Sequence, residues 1–179
     1  MKKSITKAIK ESFLRFDGGT GTIFIDKGLK PGENSAEWNI TKRETVLSLH
    51  KEYITAGADI ITTNTFGANP LKGEDYSAQI RAGIEIANEA ALSSGRDVYI
   101  ALDIGPCGRM LQPFGDMSFE EAVNIYADII NAADHTKVDL ILFETFGDAL
   151  ETKAAVLAAK ENSILPVFVS NTTTATAGC

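Results

Sequence analysis

The sequence has few of the features that mark secreted or membrane proteins. Only two cysteines occur, Cys107 and Cys179, which are too few for a disulfide framework, so we expect thiols in a reducing compartment. No run of about 18 apolar residues is present, and no signal-peptide core follows Lys3. These absences exclude a helical membrane span and favour a cytoplasmic protein.

Positive charge is also scarce. The chain has 17 Lys and Arg residues against 24 Asp and Glu residues, and its net charge is -7. A nucleic-acid partner requires a clustered excess of basic residues, so this composition argues against one. With 179 residues and 44% hydrophobic content, the chain can bury a core, and we expect residues 1–179 to form a single domain.

What the sequence does contain is a set of five short apolar runs, each ending in a polar or acidic residue before a turn. In α/β folds, buried parallel strands are apolar on both faces, and ligands gather at their carboxyl ends. The polar ends therefore predict one shared site. The runs occupy residues 13–17, 59–64, 98–103, 138–144 and 166–171.

Helical patterns separate these runs. Thr41 and Glu44 predict a capping box at the start of the first long helix, and Ser118 and Glu121 predict one at the start of the third. The fourth follows Asp148 and is rich in alanine, so we expect it to pack closely on the sheet. The long helices are predicted over residues 42–56, 77–92, from 119 onward, and 149–161.

This alternation allows either a closed barrel or an open doubly wound sheet. No G-x-G-x-x-G motif follows a strand, and polar residues end every run instead of marking one switch point. We therefore predict an α/β fold of the (β/α)8 TIM-barrel type, with only about the first five βα units present. Such an open sheet exposes an edge, so we expect the truncated chain to self-associate.

Four sets of motifs, in order and at compatible spacing, resemble the homocysteine S-methyltransferase family, which includes the homocysteine-binding module of cobalamin-dependent methionine synthase. The resemblance runs from about residue 13 to residue 171. The motifs are FDGGTGT at 16–22, HKEY at 50–53 with AGADIITTNTFGAN at 56–69, GPCG at 105–108, and FETF at 143–146 with ETKAA at 151–155.

The resemblance implies a barrel in which zinc binds homocysteine as a thiolate that attacks an activated methyl group, a step of methionine biosynthesis. Zinc deprotonates a thiol whose ordinary pKa is about 8.5. The family's three cysteine ligands lie after the sixth strand and near the end of the barrel, and neither Cys107 nor Cys179 falls on them. This chain would supply the amino-acid-binding half, be inactive alone, and work with a methyl donor such as cobalamin on a partner module.

The resemblance also implies the residues of an amino-acid clamp, although it identifies no catalytic residue and no metal ligand in this chain. Asp17 and Glu144 match the acids that meet the substrate's amino group, and an ammonium in a barrel mouth needs such carboxylates. Gly18 and Gly19 would let backbone N–H groups approach the substrate carboxylate. Two further candidates for lining the mouth are Trp38 and Asn64.

Structural roles remain open for these residues. Asp17 could cap the following turn, and Glu144 could pair with Lys153.

Asp103 is an extra acid that departs from the family's pattern and would alter the electrostatic field around a bound amino acid. Cys107 is interpreted as a small buried thiol. Ordinary loop-stabilising or packing roles are equally open for Asn64 and Trp38, and His50 is interpreted as a packing or helix-surface residue.

Two functional alternatives accompany the transferase hypothesis. The first is a noncatalytic truncated barrel that binds an amino acid or another subunit. The second is a different barrel enzyme such as an aldolase, which would need a Schiff-base lysine on a strand, and no lysine lies within the five runs.

Overall fold

The computed structural model describes residues 2–172 as an α/β fold built on one parallel sheet. Its strands are β1 (Ile60–Thr62), β2 (Tyr99–Ile104), β3 (Leu140–Phe146) and β4 (Val167–Asn171). They neighbour one another in chain order. An unbroken order of parallel strands is typical of a barrel wall, whereas a doubly wound sheet reverses direction at a switch point.

Four long helices lie where the periodicity predicts them, and shorter helices accompany them. The short helices Ser35–Glu37 and Pro70–Lys72 are of the 3-10 type. The α-helices are α1 (Ile5–Glu11), α2 (Gly21–Asp26), α3 (Trp38–Thr41), α4 (Arg43–Ala56), α5 (Tyr76–Ser93), α6 (Phe119–Ala132) and α7 (Ala149–Asn162).

The predicted strand at residues 13–17 is reduced to a single parallel bridge between Phe16 and Ile60. The Ile60 N–H donates to the Arg15 carbonyl at 3.0 Å, and the Asp17 N–H donates to the Ile60 carbonyl at 2.9 Å. Phe13 is fully exposed, so its ring does not anchor a longer strand. The prediction of a complete strand is wrong, but the segment still lies along β1 and brings Asp17 to the carboxyl end of the sheet.

Only one of the two predicted capping boxes forms. At α6 the Ser118 hydroxyl accepts from the Glu121 N–H, and the Glu121 carboxylate accepts from the Ser118 N–H. At α4 the box is absent because Thr41 is already the last residue of α3, and its hydroxyl donates to the Glu37 carbonyl. An N-cap residue needs an extended backbone, which a residue inside a helix does not have.

The two faces of the sheet bury different sets of side chains. Alternate residues of β2, among them Ile100 and Leu102, pack against the helices, while Tyr99 and Ala101 point to the opposite, inner face. Side chains alternate along a strand, so Asp103 follows Ala101 onto the inner face. By the same rule Glu144 follows the inner-facing Leu140 and Leu142 of β3.

Helix α1 covers the amino-terminal end of the inner face. Ile5 and Ala8 are buried against inner-face residues of the first three strands. Burying the Ile5 side chain contributes about 2 kcal/mol to stability. Lys2 ties the same end together through an ion pair with Asp139 at 2.8 Å. The opposite, carboxyl end of the inner face stays open.

Within residues 2–172, none of the helices combines the length and the hydropathy that a membrane crossing requires.

Candidate functional site

A cavity of about 290 Å³ opens at the carboxyl end of the sheet, where the sequence predicts a site. Each of the four strands contributes a residue from its last half, and the segment before α2 closes one side. The cavity is lined by Phe16, Asp17, Gly18, Gly19, Thr20, Thr62, Asp103, Leu142, Glu144 and Ser170.

Asp17 is fixed in this cavity by β1. Its carboxylate accepts a hydrogen bond from the Thr62 N–H at 2.9 Å and another from the Thr62 hydroxyl at 3.2 Å. Burial raises the pKa of Asp17 to about 6, and the nearby charge of Glu144 adds to the effect, although the Thr62 hydrogen bonds oppose it. Asp17 therefore caps no glycine turn but binds across to the neighbouring strand.

Glu144 enters the cavity from an irregular part of β3. The pairing of β3 with β4 shifts between Phe143 and Phe146, and Thr145 has a φ of 64°. A positive φ is uncommon for a β-branched residue and marks a strained backbone of the kind found at functional sites. Glu144 lies beside this irregularity on the inner face of the sheet and lines the mouth, where burial raises the pKa of its carboxyl group.

Glu144 has no ion-pair partner among residues 2–172, and the alternative of a pair with Lys153 is wrong. The Lys153 ammonium instead lies 5.9 Å from the centre of the Phe119 ring. The ion pairs within the described residues include neither Glu144 nor Asp17 nor Asp103. The cavity thus gathers three carboxyl groups without a balancing cation.

Asp103 is the most deeply buried of the three, with 6% of its surface exposed. Its backbone is held by two threonines, because its N–H donates to the Thr63 hydroxyl and its carbonyl accepts from the Thr65 hydroxyl. Its side chain makes no hydrogen bond with residues 2–172, and Oδ1 is buried without a partner. Burial raises the pKa of Asp103 well above its ordinary value, and the charges of Glu144 and Asp17 raise it further.

Gly18 and Gly19 form the side of the cavity next to Asp17. The Tyr53 hydroxyl donates to the Gly19 carbonyl at 2.9 Å. A Cβ on Gly18 would lie 3.0 Å from the Tyr53 oxygen, so a larger residue there would require the Tyr53 ring to shift. Neither glycine N–H makes a hydrogen bond within the described part of the chain. Tyr53, part of the HKEY motif but not predicted as a site residue, thus contacts the glycine turn at the side of the cavity.

The structure does not bring Trp38 or Asn64 to this cavity. Trp38 is buried in the core, where its ring centre lies 5.2 Å from that of Phe24. The Asn64 side chain donates to the Ser35 carbonyl at 2.7 Å and to the Asn39 amide oxygen at 2.9 Å. Packing and loop stabilisation, the alternatives considered for these two residues, describe what they do.

Thr62 and Ser170 line the cavity but were not named as candidates individually. Both lie near the ends of predicted strands, so the general rule that ligands bind at the carboxyl ends of parallel strands covers them.

His50 is buried away from the cavity, and burial lowers its pKa to about 4. Cys107 is a buried thiol, as expected, and burial raises its pKa to about 11. Cys179 lies outside the described residues.

Metal-ligating side chains do not converge in the part of the chain that the structure describes. Over residues 2–172, no group of three or more His, Cys, Asp or Glu side chains has the arrangement to hold a metal ion. These residues therefore do not fit the zinc that the resemblance implies.

The acidic cavity predicts how stability should depend on pH. A carboxyl group whose pKa is raised on folding stabilises the fold below its ordinary pKa, and this stabilisation is lost as the pH rises through the folded value. For Asp17 the window runs from about pH 4 to just above pH 6. The Asp17→Asn variant removes this titration, and its amide can still accept from the Thr62 N–H.

We therefore expect the free energy of unfolding of Asp17→Asn, relative to the wild type, to rise by about 2 kcal/mol between pH 4 and pH 7. Urea unfolding at several pH values measures this difference. His50 contributes in the opposite sense, because the stability that depends on its neutral form is lost as the pH falls from about 6.5 to about 4. This contribution is the same in the wild type and in Asp17→Asn, so it cancels in the difference. If the difference in the free energy of unfolding between the two proteins did not change with pH, the pKa of Asp17 would not be raised by burial, and the prediction would be wrong.

The fold is similar to that of solved homocysteine methyltransferases. The homocysteine methyltransferase MmuM from Escherichia coli, in its metallated form, is 20% identical and superposes with a TM-score of 0.77, covering 92% of this chain and 65% of that one. For the apo form the identity is 21%, the TM-score is 0.70, and the coverage is 89% and 59%. The chain thus spans about three-fifths of that protein's length.

These similarities confirm the predicted α/β fold of the (β/α)8 TIM-barrel type, of which this chain covers only part. The family is shown separately, by sequence. The sequence model of the homocysteine S-methyltransferase family matches residues 14–178, which is nearly the whole chain. The chain therefore belongs to the homocysteine S-methyltransferase family.

Proposed function

We propose that this protein takes part in methyl transfer to the thiol of homocysteine or a related amino-acid thiol, and that this chain supplies the half of the site that holds the amino-acid group. The observation that carries the proposal is the convergence of Asp17 and Glu144 on one cavity whose lining, among residues 2–172, includes no cationic side chain. Buried carboxylates are unfavourable unless they are paired, so the cavity is suited to a cationic ligand.

An α-amino acid matches both sides of this cavity. Its ammonium group can donate charge-assisted hydrogen bonds to Asp17 and Glu144. Its carboxylate can accept from the N–H groups of Gly18 and Gly19, which are the backbone donors on the same rim. The side chain of the amino acid, with its sulfur, would then extend across the open mouth toward the part of the barrel beyond β4.

Binding of a zwitterion can be tested without a methyl donor. We expect the full chain to bind L-methionine and L-homocysteine in calorimetric titrations, because both carry the ammonium and carboxylate groups. Des-amino methionine should lose binding by about 100-fold, since it brings a carboxylate toward the acids without an ammonium. Decarboxylated methionine, a matched control with the same thioether, should retain more of the affinity.

Equal binding of des-amino methionine and L-methionine would overturn the proposal. A methyl-transfer assay distinguishes the transferase from a noncatalytic amino-acid-binding module. Both predict binding of L-homocysteine, but only the transferase predicts labelled methionine when the chain is completed with the remainder of a family barrel and a methyl donor.

A further inference from the structure

Asp103 is the acid at the cavity that the proposed function leaves without a role. Its side chain is more than nine-tenths buried, lines the cavity, and has one oxygen without a partner among residues 2–172. A buried carboxylate with neither hydrogen bond nor counter-charge is strongly disfavoured. Either a proton or a ligand cation must therefore neutralise it.

The three carboxyl groups differ in how many further hydrogen bonds they can accept. Asp17 already accepts from the backbone and hydroxyl of Thr62, whereas the Asp103 side chain accepts from no residue that the structure describes. A ligand ammonium has three N–H donors, and three carboxyl groups meet at this cavity. Asp103 is thus the acceptor still available for the third donor.

We propose that Asp103 carries a proton in the free protein and releases it when a substrate ammonium enters, so that it becomes the third carboxylate contact of the ligand. This inference rests on the proposed function and deepens it. The O–H bond of the Asp103 carboxyl group breaks, and its proton leaves to solvent. The ammonium keeps its three protons, and no covalent bond to the ligand forms.

The groups that face Asp103 support this exchange. Glu144 approaches from β3 and Asp17 from the segment along β1, and both charges oppose ionisation of Asp103 in the free protein. Hydroxyl groups, which do not titrate, are the other polar side-chain groups of the cavity lining and of the backbone contacts of Asp103; they belong to Thr20, Thr62, Ser170, Thr63 and Thr65. A ligand cation between the acids reverses the balance, because it favours the charged form of every carboxyl group around it.

Calorimetry in buffers of different ionisation enthalpy counts the protons released on binding. The probe is L-methionine, whose thioether does not titrate, at about pH 7 in phosphate and in Tris. We expect the wild type to release about one proton per ligand bound. Asp17, with a pKa of about 6, is already mostly ionised at this pH and adds about a tenth of a proton.

The Asp103→Asn variant should bind with almost no proton release. Asp128→Asn, which changes an exposed acid on α6, is the matched control and should release as many protons as the wild type. Because a variant at a buried position can fail to fold, carbon-13 NMR of aspartate carboxyl groups in the wild type provides a second measurement. One carboxyl signal should move from the protonated to the ionised position as L-methionine is added.

The outcomes separate this inference from the proposed function. Binding of L-methionine by the wild type without proton release, or with no carboxyl signal that changes protonation, would overturn the role of Asp103 and leave the proposed function intact. Proton release that persists in a folded Asp103→Asn variant would also overturn it. Absence of L-methionine binding by the wild type would overturn both.

Discussion

Asp17→Asn is expected to weaken the binding of L-methionine by about 30- to 100-fold at about pH 7, without loss of stability. This factor corresponds to the loss of one charge-assisted hydrogen bond, about 2 to 3 kcal/mol. Stability is preserved because an asparagine oxygen can accept from the Thr62 N–H while its amide donates to the Thr62 hydroxyl. Calorimetric titration gives the affinity, and urea unfolding gives the stability.

The control for this experiment is Asp128→Asn, which removes the same charge from an exposed position on α6. It should bind as the wild type does. Unchanged affinity in Asp17→Asn would remove Asp17 from the binding site, and parallel losses of affinity and stability would reduce it to a structural residue.

Glu151→Ala is expected to lower the free energy of unfolding by about 3 kcal/mol. Glu151 is buried on α7, and its carboxylate accepts from the Tyr126 hydroxyl at 2.7 Å and from the Cys107 N–H at 2.9 Å. These bonds hold the loop that follows β2 against α6 and α7. Strand β2 itself carries Asp103. Alanine would leave the buried Tyr126 hydroxyl without the acceptor that Glu151 provides, and it would create a cavity.

Glu151→Gln is the matched variant, because its amide oxygen can accept both hydrogen bonds. We expect it to lose much less stability than Glu151→Ala in urea unfolding. If the two variants were equally stable, or if Glu151→Ala stayed within about 1 kcal/mol of the wild type, the loop would not depend on this carboxylate.

Short sequence motifs predicted helix starts and strands correctly only where the surrounding structure allowed the predicted geometry. The α6 capping box formed because its serine lies outside the helix with an extended backbone. The same pair of residue types failed at α4, since a preceding helical turn that periodicity did not reveal includes Thr41. The strand at residues 13–17 failed because apolar composition alone does not ensure burial, and Phe13 lies in solvent.

The candidate site was predictable in outline for a topological reason. Parallel strands place their carboxyl ends at one edge, so acids at the ends of two runs, Asp17 and Glu144, had to lie near each other. The strained φ of Thr145 and the depth of Asp103 depend on the shape of the sheet around them, which no local pattern encodes. Trp38 and Asn64 were misplaced because the same residue types serve in cores and loops.

A crystal structure of the chain with L-methionine bound is the most direct test of the central claim that acidic strand ends hold an amino-acid ammonium. We expect the ligand nitrogen within about 3 Å of carboxylate oxygens of Asp17 and Glu144, with the ligand carboxylate facing Gly18 and Gly19. A ligand bound at another surface, or one whose carboxylate points toward the acids, would contradict it.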